Sequence, residues 1–387
     1  LAIDDRAGLK SPQSKKTQLL LKAAIVRHKK LEFEAAKLIY EEVQKSDPCN
    51  VMSWQLSGLL CCQMKDYEKS IELLSRAIAL EPVHEDSYYH RAISYQELGY
   101  LEQSFDDYSS ALSINRENFH ALNNRGNVLK DLGRLDEALS DLDLALVVKP
   151  NYASAYNNRG IVLKKLGHID KALMDYSRAL SLEPHYAEAF YNRAKAFQDM
   201  GQPENALADY NKAISLKTNY SAALNNRGLV LKELLRFDEA IGDLNESLNI
   251  NPDDHEAYNN LGLVLRELRH FDDALKALNK ALSLEPNYSK GLNNRGNILQ
   301  DLMRFDEAMI NYEQAISLTP ESAEAFNNRF LALKELGRFD EAMADLNKAI
   351  ALDPTYPEAH WNKALQLLLF GEFEEGWPLF EWRWKTK

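Results

Sequence analysis

A period of 34 residues constrains this chain more than any other feature. Small residues step along it as Ala24, Gly58, Ala92, Gly126, Gly160, Ala194, Gly228, Gly262 and Gly296, pass through Phe330, and resume at Ala364. A second small row lies twelve positions later, from Ala36, Ser70 and Ser104 through Ala138, Ala172, Ala206, Ala240, Ala274, Ala308 and Ala342 to Gly376. Eight of the twelve prolines form a third row, Pro48, Pro82, Pro150, Pro184, Pro252, Pro286, Pro320 and Pro354. Two small rows imply two closely packed helices per unit, with proline ending the second. In residues 153–186, Tyr156, Ile161, Leu163 and Leu166 recur at helical spacing before Gly167, and Leu173, Tyr176, Leu180 and Leu182 recur after it. Gly167 permits a left-handed turn, and Asp170 puts a negative charge where the dipole of the second helix favours it. Such a unit cannot bury its apolar faces alone, so neighbours must stack in sequence. The expectation is an all-α solenoid of about eleven units. Residues 1–16 form an N-terminal extension or cap, 17–356 ten units, and 357–387 an eleventh, atypical capping unit.

Composition narrows the function. The chain is 45% apolar and 27% charged, as expected of a folded protein. Its 387 residues exceed what one compact core serves, about 250–300 residues, which an array with a distributed core avoids. A net charge of −12 with no dominant basic run argues against a phosphate-binding surface, so no nucleic-acid partner is expected. No apolar stretch is long enough to insert in a membrane. Cys49, Cys61 and Cys62 have neither disulfide-framework nor zinc-ligand spacing, which fits a reducing, cytoplasmic location. His28, His84, His90, His120, His168, His185, His255, His270 and His360 fall at different unit positions without metal-ligand spacing. With no nucleophile elbow or phosphate-binding glycine loop, no catalytic residues, metal or cofactor are expected.

The three rows resemble the tetratricopeptide repeat, in which a unit carries a bulky residue at position 4, small residues at 8 and 20, and proline at 32. The resemblance covers residues 17–387 and implies a right-handed superhelical solenoid. Departures are local: Arg116 and Thr218 replace the proline, Phe330 fills a small site, and Gly376-Trp377-Pro378 is expected to interrupt the last helix. In this family the first helix of each unit lines the concave surface, and the chain is similar to bacterial arrays and to the recognition arm of O-GlcNAc transferase-like glycosyltransferases.

Position 6 is asparagine in eight consecutive units, Asn124, Asn158, Asn192, Asn226, Asn260, Asn294, Asn328 and Asn362. The resemblance implies that this row faces the groove. A carboxamide donates and accepts, so it can grip a peptide backbone whatever its side chains, at about 0.5–1.5 kcal/mol per bond. Helices pack about 8–10 Å apart and an extended chain advances about 3.3–3.6 Å per residue, so rungs should meet a ligand about every third residue. The alternative is that these asparagines cap or bridge neighbouring units. Position 5 adds Asn123, Asn157, Asn225, Asn259, Asn293 and Asn327.

Arginine at position 7 accompanies aspartate at position 23 in Arg91/Asp107, Arg125/Asp141, Arg159/Asp175, Arg193/Asp209, Arg227/Asp243 and Arg329/Asp345. Where position 7 is Leu261 its counterpart is Ala277, and Arg295 faces Asn311. Charge enters and leaves together, as expected of a partly buried salt bridge within each unit. Position 12 (Lys130, Lys164, Gln198, Lys232, Arg266, Gln300 and Lys334) lies beside acidic residues and reads as a solvated mixed surface or a groove lining. A clamp for a terminal carboxylate is disfavoured, because position 5 lacks the lysines that such family members use.

Trp361, Trp377, Trp382 and Trp384 crowd the last unit. They read as a cap or, by resemblance, as a junction with a glycosyltransferase-like domain. Without such a cover they would expose an apolar patch through which two copies can dimerise. Two functions follow: a scaffold that binds extended peptide segments of partner proteins, or the substrate-recognition arm of a glycosyltransferase whose catalytic domain lies beyond residue 387.

Overall fold

A computed structural model describes residues 12–386. Among these the chain is helical throughout, with 22 α-helices, a closing 3-10 turn and no strand. The helices form eleven pairs, numbered here as repeats 1 to 11 from residue 17 in steps of 34. In repeat 8 the first helix is His255–Glu267 and the second Phe271–Leu284, and the pattern recurs in every repeat up to the tenth. The helix opening the array starts at Pro12, so residues 12–16 of the expected extension are helical, and 1–11 lie outside the described residues.

Contacts divide the chain into two compact units, one ending at Ala196 and one beginning at Phe197. Within each, a first helix packs on its own second helix, which packs on the next repeat. First helices of adjacent repeats also touch, as 51–63 on 85–97 and 255–267 on 289–301, whereas no pair of adjacent second helices packs comparably. Each stack is therefore tighter along its first helices, and that side is concave.

The second helices bury positions 20, 24 and 27, a stripe at i, i+4 and i+7. In repeat 5 these are Ala172, Tyr176 and Ala179, all at most 1% exposed. Small residues at position 8 bring the two helices together: a Cβ on Gly160 would lie 2.6 Å from the Tyr176 ring. Phe330, the large residue on this row, is accommodated in a buried cluster with Leu299, Met309, Tyr312 and Leu346.

Position 15 adopts the left-handed conformation in every repeat. Gly167 does so at φ +82°, but Leu31, Lys65, Leu235, Arg269 and Met303 hold the same turn at φ 58–63° without being glycine. Acidic residues occupy the first turn of every second helix, as the dipole favours. The proline row marks the helix ends without causing them: helices end at Ile114 and Leu216 in the same register although Arg116 and Thr218 replace proline. The last second helix departs from expectation. It is shortened to Phe373–Phe380, yet it runs through Pro378 and gives way only at the 3-10 turn Glu381–Trp384.

Candidate functional site: the first-helix groove

The asparagine row is an internal staple as well as a surface feature. In six of the eight repeats the side-chain N–H of the position-6 asparagine donates to the position-5 carboxamide oxygen of the preceding repeat. Asn158 donates to Asn123 at 2.9 Å, Asn192 to Asn157 at 2.9 Å and Asn260 to Asn225 at 2.9 Å. Asn294 donates to Asn259 at 2.8 Å, Asn328 to Asn293 at 3.2 Å and Asn362 to Asn327 at 2.9 Å. Asn124 finds the hydroxyl of Tyr89, the position-5 residue there, at 3.3 Å. The bridging alternative thus describes what the amides do within the chain, and they are not unengaged hooks. The reason is burial: the position-5 asparagines are only 4–6% exposed, and a buried carboxamide oxygen needs a donor.

Capacity remains. A carboxamide has two N–H groups and two acceptor sites. Each of these bonds uses one N–H of the position-6 side chain, and the oxygens of Asn124, Asn158 and Asn260 also accept from Asn123, Asn157 and Asn259 at 3.1–3.4 Å, which leaves the second N–H and one acceptor site of Asn158 and Asn260. Asn225, Asn226, Asn259, Asn260, Asn293 and Asn294 line an open cavity of about 360 Å³ on the first-helix side. Its remaining lining is Leu229 and Leu263 at position 9, Tyr288, and the charged Glu256, Lys290 and Glu324. The Tyr288 hydroxyl is pushed up to about 12, chiefly by burial and further by the carboxylates of Glu256 and Asp254. Asn293 donates to Glu324 at 3.0 Å, tying a third repeat into the same network.

The arginine row stands behind this face. Five of the expected pairs form as two-pronged bridges, for example Arg227 Nε to Asp243 Oδ2 and Nη2 to Oδ1, both at 2.6 Å. Arg91/Asp107, Arg125/Asp141, Arg159/Asp175 and Arg329/Asp345 repeat the geometry at 2.6–2.8 Å. Arg193 and Asp209 fall in different compact units, and their pairing stays an expectation. The third nitrogen reaches position 25 of the preceding repeat: Arg91 to Ser75, Arg159 to Asp143, Arg227 to Asn211. These arginines are therefore also clamps between repeats, which the sequence reading did not foresee. Hydrogen bonds to Asp175 and Asp143 raise the Arg159 guanidinium pKa against the effect of burial. Arg295, whose partner is Asn311 at 2.7 Å, is instead lowered by burial.

A second coupled row was also missed. In three repeats with tyrosine at position 24, a glutamine at position 12 accepts from its hydroxyl: Tyr108 donates to Gln96 at 3.1 Å and Tyr210 to Gln198 at 3.2 Å, while Tyr312 donates chiefly to Asn297 at 2.8 Å and reaches Gln300 at 3.4 Å. His28 meets Tyr40 at 3.1 Å in repeat 1. Gln198 thus satisfies a buried phenol and Gln300 shares one with Asn297, while Arg266 pairs with Asp301 at 2.5 Å. The co-occurrence of glutamine at 12 with tyrosine at 24 was visible in the sequence.

At the carboxyl end, Trp382 stacks on His360 with centroids 4.0 Å apart, and Phe380 packs on Trp361 at 4.8 Å. These rings cover part of the final helix pair. Trp377 and Trp384 stay 56% and 76% exposed, beside exposed Leu369, Phe370 and Phe373.

Family models agree with this architecture. Those described as "TPR repeat" match residues 126–167 and 331–367, and those described as "Tetratricopeptide repeat" match 53–84, 85–118, 153–186, 187–220, 255–288 and 289–322. Together they span well over half of the chain. It belongs to the tetratricopeptide-repeat family. A tetratricopeptide repeat protein from Parabacteroides merdae is similar at 21% identity with TM-score 0.56, over 64% of this chain and 98% of that one. The APC/C hetero-tetramer Cut9–Hcn1 structure matches at 15% identity with TM-score 0.52, over 92% of this chain and 97% of that one. At these identities the likeness is one of fold. No curated protein sequence matches the chain. No helix among the described residues is long and apolar enough to cross a membrane.

Proposed function

We propose that this tetratricopeptide-repeat chain is a protein-interaction scaffold whose concave first-helix groove holds extended segments of partner proteins. The observation that carries this reading is the open cavity lined by six asparagines over an apolar floor of Leu229 and Leu263. The amides, held in register by the bonds between repeats, offer their remaining N–H and oxygen sites to a peptide backbone, and the leucines accept an apolar side chain. Recognition is by preorganisation: side chains already fixed by the fold lose little entropy on binding. The row Asn124, Asn158, Asn192, Asn226, Asn260, Asn294, Asn328 and Asn362 is the proposed contact series. The unbridged Cys49, Cys61 and Cys62 support a reducing, cytoplasmic setting.

The test is selection of binding peptides from a random displayed library, followed by affinity measurement on variants. Leu263→Glu, on the groove floor, is expected to weaken the selected peptides at least tenfold. Ile310→Glu, at an exposed site on a second helix, should leave them unchanged. Equal binding to both variants would place the site elsewhere.

A second reading, as the recognition arm of a glycosyltransferase whose catalytic domain lies beyond residue 387, draws on the exposed Trp377 and Trp384. A covering domain would bury them; without one, two copies can dimerise through them. Light scattering over a concentration series tests the dimer, with constant monomer mass counting against it.

A further inference from the structure

The groove in the second compact unit carries a row of charges whose order has a consequence for its ligand. Position 2 of successive repeats supplies Glu256, Lys290 and Glu324, and all three line the cavity and are exposed. None of the three forms an ion pair among the described residues, although Glu324 accepts one hydrogen bond from Asn293. Minus, plus and minus therefore face the ligand space unneutralised, one charge per repeat.

Spacing decides which backbone can read this row. First helices of neighbouring repeats are in contact, which sets their separation at about 8–10 Å. A β-strand returns a side chain to the same face every second residue, about 6.6–6.8 Å, and drifts out of step with the repeats. A polyproline II segment returns one every third residue, at about 9 Å. It also makes no internal hydrogen bonds, so its peptide groups are available to the spare amide sites of Asn260 and Asn294.

We propose that this groove selects polyproline II segments with a basic, an acidic and a basic residue at i, i+3 and i+6, opposite Glu256, Lys290 and Glu324 respectively. The pattern reads the same in both chain directions, so selection does not depend on which way the peptide runs. An apolar residue between the charges rests on Leu229 or Leu263, and proline is tolerated at the intervening positions because it favours the required backbone. The inference rests on the groove-binding reading and adds the charge order and backbone geometry to it.

The experiment is fluorescence anisotropy on the full chain with three labelled synthetic peptides in a serine, valine and proline background. The first carries lysine, glutamate and lysine three residues apart, the second has these charges inverted, and the third has the first composition at two-residue spacing. Exposed ion pairs are individually weak, so the first peptide is expected to bind about tenfold more tightly than either control at low salt, with the margin shrinking as salt rises. In Lys290→Glu a fourth peptide, with lysine at all three positions, should overtake the first. Equal affinity for all three peptides overturns the charge and spacing inference and leaves groove binding standing. Binding of none of them sinks both, and a preference unaffected by Lys290→Glu removes the assignment to this row.

Discussion

Removing the Asp243 carboxylate while keeping Arg227 should cost more than removing both. The pair is two-pronged at 2.6 Å, with the arginine side chain 20% and the aspartate 10% exposed, and Arg227 keeps only the neutral Asn211 at 2.7 Å once the carboxylate is gone. Breaking a fully buried pair costs about 3–5 kcal/mol; with the guanidinium a fifth open to water, Asp243→Ala should cost about 2–3 kcal/mol. The chain contains its own control, since repeat 8 replaces the pair with Leu261 and the buried Ala277 and keeps the same helices. Arg227→Leu combined with Asp243→Ala reproduces that solution and should cost about 1 kcal/mol or less, because no buried charge is left alone. Urea denaturation followed by circular dichroism measures the four corners of the cycle. Hydrogen exchange in the helix Phe237–Ile250 supplies a local readout, since repeat arrays need not unfold in one step. Single-mutant costs that simply add, with a coupling below about 0.5 kcal/mol, would refute the argument that charge is retained in pairs.

Other outcomes follow from the same geometry. Leu235→Gly and Met303→Gly, at exposed turns with φ 58°, should each stabilise by about 0.5–1 kcal/mol, because relief of left-handed strain exceeds the added chain entropy; a lower denaturation midpoint would contradict this. Asn294→Ala leaves the buried Asn259 oxygen without its 2.8 Å donor and should cost about 1 kcal/mol of stability, so binding assays on this row need a folding control. Tyr40, Tyr152, Tyr288 and Tyr356 are raised mainly by burial from 10.0 to about 12. Above pH 10 the unfolded chain gives up these protons while the folded chain keeps them, so stability is full below pH 10 and falls between pH 10 and about 12. Tyrosinate absorbance should show these phenols ionising late, together with unfolding; simple titration of every tyrosine near pH 10 would be the contrary result.

Much of the fold was legible because one constraint is written eleven times. The period gave the helix pairs, and the exchange of Arg227/Asp243 for Leu261/Ala277 exposed a contact that a single unit would have hidden. The missed features are those whose partners lie in another repeat or whose local sequence suggests a different backbone. The bond from Asn294 to Asn259 joins residues 35 apart, so the sequence offered bridging between units only as an alternative to ligand binding and did not show which residue each amide meets. The two-way clamp of Arg159 on Asp175 and Asp143 was half seen for the same reason. Leu235 and Met303 take a glycine-like conformation that nothing in their chemistry announces, because packing on either side fixes the turn. Pro378 was read as a stop, yet it lies inside Phe373–Phe380, where the helix continues beyond it to Phe380.

The most direct test of the central claim is a crystal structure of the protein with a selected peptide bound. The account predicts an extended main chain along the first helices, hydrogen-bonded to side chains of Asn226, Asn260 and Asn294 about every third residue, with an apolar side chain on Leu229 or Leu263. A peptide bound as a helix, seated on the second helices, or touching none of those amides would contradict it.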